Sequence, residues 1–132
     1  MLRRIISVFA IFLLLSCGEE VKVDPECEAA SQAAKEYYSY LTEGKSEEFV
    51  NGFSRVNLFP VQYRNEFSRN TEDFLQIQHD RHGGIAHVDV SSAERDSVNN
   101  TINVFLSICY GDSTQSRIVV PMIKNNDKWQ MK

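Results

Sequence analysis

The chain has 132 residues, 14 basic and 18 acidic side chains, and a formal net charge of −4. This length suits one globular domain that can bury a hydrophobic core. The negative balance disfavours nucleic-acid binding, because contact with phosphates would need a local basic patch and the sequence shows none.

The first 16 residues have the composition of a secretory signal peptide. Arg3 and Arg4 are followed by an apolar run over residues 5–15 that only Ser7 interrupts. This run is shorter than the ~20 apolar residues that a membrane-spanning helix needs. We therefore expect residues 1–16 to be removed, which leaves 116 residues with a net charge of about −6, since 12 basic and 18 acidic side chains remain.

The segment Leu14-Leu15-Ser16-Cys17 resembles the lipobox of bacterial lipoproteins, in which the cysteine is acylated and becomes the mature N-terminus. The resemblance implies that Cys17 is the lipid attachment site and that residues 17–23 are a lipidated N-terminus and linker. It also implies a lipid-anchored protein of the cell envelope, at the outer membrane and on its periplasmic or its surface-exposed side. Several acyl chains, at ~0.8 kcal/mol per buried CH₂, would make this anchoring permanent. The alternative is an ordinary signal peptide followed by a free cysteine.

The linker is followed by a predicted helix. Asp24 is a suitable N-cap, Pro25 suits the first helical position, and Gly44 ends the helix. Apolar residues recur on one face of this helix at helical spacing. These residues are Cys27, Ala30, Ala34, Tyr37, Tyr38 and Leu41.

Two further helices are predicted before Gly83-Gly84, where the helical pattern ends. One starts at Ser46, with two acidic residues in its first turn, where the helix dipole favours them. The other follows Pro60 and is expected to end near His79, before Gly83-Gly84. Its apolar residues at close to helical spacing are Tyr63, Phe67, Phe74 and Ile77.

Beyond the double glycine the period changes from helical to two, which is typical of strands. Strands are expected over residues 85–96, 101–110, 116–124 and 128–131, with a bulge or bend within 91–93. In the second strand Ile102, Val104, Leu106 and Ile108 fall on one face, which the first helix should cover. The predicted class is therefore α+β, with N-terminal helices packed on a curved antiparallel meander.

The two cysteines other than Cys17 are a candidate disulfide, because the envelope is an oxidising compartment. Strand parity opposes a bond between Cys27 and Cys109, since Cys109 falls on the strand face opposite Leu106. A bulge would reverse this parity, so the sequence leaves the pairing open.

A second resemblance rests on three segments. These are the helix-Gly-helix piece at residues 37–49, the strand ending in Tyr110-Gly111-Asp112, and the terminal hairpin with Trp129. Together they resemble small domains of unknown function in the nuclear transport factor two-like (NTF2-like), cystatin-like superfamily. Lys45 departs from the pattern, because many relatives carry Asp there. The resemblance implies one domain over residues 24–132, a cone of helices on a curved sheet, and no particular activity.

Few residues suggest a site. Tyr37 and Tyr38 are candidates to line the cavity of the cone, although core packing is the commoner role of such tyrosines. With Asp89 they could form a catalytic set, but no spacing requires it, and no triad, phosphate-loop or dinucleotide motif is present. Histidines and aspartates with metal-ligating chemistry are His79, Asp80, His82, His87 and Asp89.

The spacing of these histidines and aspartates is only weak evidence for a metal site, so we predict neither a metal nor a cofactor. The sequence favours binding of a small molecule or peptide in the cone cavity. The alternatives are a structural or assembly role with a protein partner in the envelope, and a cavity-type enzyme of the same superfamily.

Overall fold

The structure is a computed structural model that describes residues 24–132. The predicted signal peptide, the linker and Cys17 therefore lie outside the described residues. None of the helices in this range combines the length and the hydropathy of a membrane span.

Three helices precede four strands, as predicted. In chain order the elements are α1 (Pro25–Thr42), α2 (Ser46–Val50), α3 (Val61–His82), β1 (Ile85–Asp96), β2 (Thr101–Tyr110), β3 (Gln115–Asn125) and β4 (Lys128–Met131), with a short 3-10 turn at Val56–Leu58. The strands form one curved antiparallel sheet in the order β1-β2-β3-β4. The α+β class and the meander are confirmed.

Helix α1 begins as its sequence predicts. The side chain of Asp24 accepts a hydrogen bond of 2.9 Å from the backbone N–H of Glu26, and Pro25 occupies the first turn. Ala30 and Ala34 are fully buried, which allows the helix backbone to approach the sheet closely. The helix contacts all four strands, most extensively β1.

The sheet face that α1 covers is called the inner face, and the opposite one the outer face. The inner-face side chains of β2 are buried: the four aliphatic ones, Ile102, Val104, Leu106 and Ile108, are at most 4% exposed, and Tyr110 at the end of the strand is 9% exposed. Phe105 and Ser107 alternate with them and are only half-buried. The alternation therefore predicted the orientation of this strand correctly.

Strand β1 contains a β-bulge between Val90 and Ser92, within the segment 91–93 where a bend was expected. Because of the extra residue, odd-numbered and even-numbered side chains exchange faces after the bulge, so that Arg95 lies on the side of α1. Its guanidinium donates to the Asp24 carboxylate at 2.9 Å. This contact ties the start of α1 to the edge of the sheet.

Helix α3 is longer than predicted and runs to His82 instead of ending near His79. Gly83 has a φ of +77° and its N–H donates to the His79 carbonyl, while the Gly84 N–H donates to the Gln78 carbonyl. This left-handed glycine cap follows the last helical residue directly, so the helix continues up to the glycine itself. Helix α3 packs mainly on α2 and, less extensively, on β1.

Candidate functional site

A cleft of about 440 Å³ separates α3 from the inner face of β2 and β3. It exists because α3 stands away from this part of the sheet: Thr71 is its only buried residue, and Phe74 remains 41% exposed. The residues that line the cleft are Tyr38, Leu41, Phe49, Phe67, Asn70, Thr71, Phe74, Ile108, Tyr110, Ser116 and Ile118.

Aromatic contacts hold the walls of the cleft in place. The rings of Tyr38 and Phe49 meet edge to face with centroids 5.0 Å apart, which joins α1 to α2. Phe49 contacts Phe53 in the same manner at 5.5 Å, and Phe53 contacts Phe67 of α3 at 5.2 Å. Pairs of this kind stabilise by about 0.5–1.5 kcal/mol beyond their buried area. The chain of rings therefore fixes α3 at its distance from the sheet.

Three polar side chains of the cleft, Tyr110, Ser116 and Thr71, have internal partners. The hydroxyl of Tyr110 donates to Ser116 Oγ at 3.1 Å, and the hydroxyl of Thr71 donates to the Phe67 carbonyl at 2.9 Å. Both contacts join neighbouring residues of one element or one hairpin. These groups consequently need no ligand to satisfy them.

Two other polar side chains, Tyr38 and Asn70, have no hydrogen-bond partner within residues 24–132. Burial raises the pKa of the Tyr38 hydroxyl, so this group stays protonated at neutral pH and can donate a hydrogen bond. Asn70 offers both a donor and an acceptor. The cleft therefore has an apolar body with a small number of free polar contacts.

Tyr37 does not line this cleft, unlike its neighbour Tyr38. Its hydroxyl donates to the Trp129 carbonyl at 2.8 Å, and its ring lies directly against the backbone of Gly52. The side chain connects α1 to β4 and to the segment after α2. Of the two tyrosines named as cavity candidates, the structure places one at the cleft and the other in a packing contact.

Asp89 lies on the outer face of the sheet, because it follows the buried inner-face residue Val88. Its carboxylate is 3.9 Å from the Lys35 ammonium and 3.3 Å from His87 Nε2. The sheet separates this carboxylate from the cleft that Tyr38 lines. The catalytic set considered from the sequence is therefore not brought together.

The histidines and aspartates separate into pairs instead of one cluster. His79 Nδ1 is 3.4 Å from Asp80, whereas His82 Nδ1 is 2.9 Å from Asp112 at the β2–β3 turn. The hydroxyl and N–H of Thr114, and then His82, lower the pKa of Asp112 to about 2. This pair joins the end of α3 to the turn.

The third pair, His87 and Asp89, has a neighbour that sequence analysis did not connect with it. The thiol of Cys109 lies within 4.8 Å of the ligating atoms of both residues. Cys109 is a free thiol on the outer face, and Cys27 is a free thiol on α1, beside the inner face. The structure therefore shows no bond between these two cysteines.

No protein-family model matches the sequence, and no curated protein matches it. The fold is similar to that of a Campylobacter jejuni protein, known from a crystal structure and provisionally named an NTF2-like transpeptidase. The TM-score is 0.59 and the identity 12%, and the likeness covers 83% of this chain and 97% of that chain. Such low identity shows the fold alone. The fold of this chain is therefore NTF2-like, with helices packed on a curved antiparallel sheet.

Proposed function

We propose that the protein binds a small, uncharged and largely apolar ligand in the cleft between α3 and the sheet. One observation carries this proposal: among the described residues that line the cleft, none has a charged side chain. The volume of about 440 Å³ lies within the range of ligand pockets, roughly 300–1,000 Å³.

The chemistry of the lining selects the class of ligand. Moving a charged group into this cleft would remove its hydration without supplying a counter-ion, which costs several kcal/mol. Aromatic rings from all three helices would contact the apolar part of a ligand. Tyr38 and Asn70 would orient one polar end, because their hydrogen-bonding groups are free within the described chain.

A binding role agrees better with this cleft than an enzymatic one. Acid–base catalysis needs a histidine, carboxylate or similar group within reach of the substrate, and the described lining contains none. The transpeptidase chemistry named for the C. jejuni protein would need a nucleophile activated by a base. The aliphatic hydroxyls of the described lining, Thr71 and Ser116, are hydrogen-bonded to the Phe67 carbonyl and the Tyr110 hydroxyl instead of to a base.

Filling the cleft is expected to abolish binding. Ile118→Trp places an indole in the lining on β3 and should weaken binding of the neutral fluorescent probe N-phenyl-1-naphthylamine at least tenfold. The matched control is Val119→Trp, which makes a similar change one residue along the same strand, at an outer-face position that is 51% exposed. Fluorescence titration of both variants measures the effect. Equal affinities for the two variants would contradict the assignment of the cleft.

We also propose that the chain is an envelope lipoprotein anchored through Cys17. The support is the lipobox-like segment at residues 14–17 and the charged and apolar stretches before it. Cys17→Ala is expected to move the protein from the detergent phase to the aqueous phase in Triton X-114 partitioning. Cys27→Ala, which removes a thiol of α1, should leave it in the detergent phase. Retention of Cys17→Ala in detergent would contradict lipidation.

A structural or assembly role remains the second candidate because of an exposed apolar surface near the start of α3. Leu58, Val61 and Tyr63 are 79%, 61% and 58% exposed. These three residues fall within a short stretch of the chain, and contiguous exposed apolar surface is typical of interaction sites. This role and the ligand role are separable, because Ile118→Trp alters the cleft and leaves these three side chains unchanged.

A further inference from the structure

Three side chains with different metal-ligating atoms meet on the outer face of the sheet. His87 and Asp89 come from β1 and Cys109 from β2, and one ligating atom of each lies within 4.8 Å of those of the other two. We propose that these residues bind a divalent cation of the Zn²⁺ class. This site is separate from the ligand cleft, which occupies the opposite face.

The pairing of the strands produces this arrangement. A register shift between Ile85 and His87 places His87 directly opposite Cys109. Asp89 follows two residues after His87 and therefore points to the same face. The buried inner-face residues Val88 and Ile108 lie between the ligating positions and hold both strands in register. The three side chains consequently lie on two paired strands whose register the bulge sets.

The distances suit a tetrahedral ion. His87 Nε2 and Asp89 Oδ2 are 3.3 Å apart. Zn²⁺ bonds to nitrogen and oxygen measure about 2.0–2.2 Å, so two ligating atoms at tetrahedral positions are separated by roughly 3.3 Å. The remaining separations need only a rotation of exposed side chains, since the His87 and Asp89 side chains are 61% and 55% exposed. The fourth position would be open to water.

The chemical types of the three ligating atoms determine which cation the site would prefer. Imidazole nitrogen and thiolate sulfur favour Zn²⁺ over the hard cations Mg²⁺ and Ca²⁺, which prefer sites made of oxygen atoms. On binding, Cys109 would form a sulfur–metal bond and release its thiol proton to solvent. No electron is transferred in this step.

Lys35 would compete with the cation for the Asp89 carboxylate. Its ammonium lies 3.9 Å from the Asp89 carboxylate, but both side chains are about half exposed, at 51% and 55%. Exposed pairs of this kind contribute only about 0–1 kcal/mol. A divalent ion can therefore displace Lys35, although this exposed site with three ligands should bind more weakly than a closed four-ligand site.

The chain supplies its own controls. His79 and Asp80 form a similar but more exposed pair at 3.4 Å, and no third ligating side chain joins them within the described residues. Cys27 is the second thiol of residues 24–132; it lies on α1 and is not a member of the cluster. If the site is genuine, substitutions of His87 and Cys109 should weaken metal binding, whereas the same substitutions of His79 and Cys27 should not.

The test uses the full chain, purified in detergent with its thiols kept reduced, and the ions Zn²⁺ and Co²⁺ as probes. Calorimetric titration should show one Zn²⁺ per chain. His87→Gln should weaken this binding at least tenfold, because it removes one of the three ligands and the loss of a group that only orients a ligand already costs about 10–100-fold. His79→Gln should leave the affinity unchanged. Co²⁺ should give a thiolate-to-metal charge-transfer band that Cys109→Ser removes and Cys27→Ser retains.

Several results would overturn the proposal. They are the absence of Zn²⁺ binding, a Co²⁺ band that survives Cys109→Ser, and equal affinities for the two histidine variants. Because His87 is exposed, His87→Gln should not affect folding, so the histidine comparison stands even if Cys109→Ser alters the strand.

Discussion

Leu106→Ala is expected to lower the free energy of unfolding by about 2–5 kcal/mol, the range for large-to-small changes in a core. Leu106 is fully buried on the inner face of β2, and its neighbours Val104 and Ile108 on the same face are buried as well. The surrounding side chains are held by the sheet, so they can only partly fill the cavity that the substitution leaves.

The neighbouring substitution Ser107→Ala is the control. Ser107 lies on the half-buried outer face, where its hydroxyl is 3.3 Å from that of Ser91. Its replacement should change stability by no more than about 0.5 kcal/mol, as is usual for surface positions. Urea melts of both variants compare the two faces. A larger loss for Ser107→Ala would mean that β2 presents its other face to α1.

The orientation of β2 could be predicted from its sequence because its residues alternate with a period of two and only one face is continuously apolar. That face must be the one that packs against the helices. The start of α1 was predictable for a similar reason, since Asp24 and Pro25 act on the backbone beside them. Even the bulge near Ser92 was signalled by small polar residues. In each case the deciding interaction lies within a few residues along the chain.

The cleft between α3 and the sheet could not be predicted from interactions of this local kind. The spacing of apolar residues in α3 indicated a helix, but it could not show which of them another element covers. Phe67 is half-buried, whereas Phe74 and Ile77 are 41% and 45% exposed. Their exposure depends on how far aromatic contacts through α2 hold the helix from the sheet, which is a property of the assembled fold.

The cluster on the outer face shows a second limit. His87 and Cys109 are distant in the sequence and become opposite partners only through a bulge near Ile85 that the sequence did not signal. Without this bulge, the pairing between Ile85 and Tyr110 would continue in the same register, and Cys109 would lie opposite a different residue of β1. A single extra residue in one strand thus decides whether this cluster of side chains exists.

Gly52→Ala is the other substitution for which we expect a large effect. A Cβ atom at Gly52 would lie 2.5 Å from the nearest carbon of the Tyr37 ring, much closer than real Cβ contacts allow. Such overpacking typically destabilises by about 1–3 kcal/mol. If the ring moves, the hydrogen bond from Tyr37 to the Trp129 carbonyl is lost as well, which adds roughly 0.5–1.5 kcal/mol.

Neither side of this contact can move away easily. The Gly52 carbonyl accepts a hydrogen bond of 2.8 Å from the Met131 N–H, and the Ser54 N–H donates to the Met131 carbonyl at 2.7 Å. These bonds fix the glycine to β4, while Trp129, also on β4, holds the tyrosine ring through its carbonyl. A local shift would therefore break contacts on at least one side.

A double-mutant cycle in urea isolates the clash between Gly52 and Tyr37. In a Tyr37→Ala background, which removes the ring, Gly52→Ala should cost less than about 0.5 kcal/mol, giving a coupling energy within the range of roughly 0.5–3 kcal/mol seen for residues in contact. In a Tyr37→Phe background the ring remains, so most of the cost of Gly52→Ala should remain too. If Gly52→Ala were equally costly with and without the ring, the loss would come from the backbone at Gly52, and Tyr37 would not be the side chain that requires glycine there.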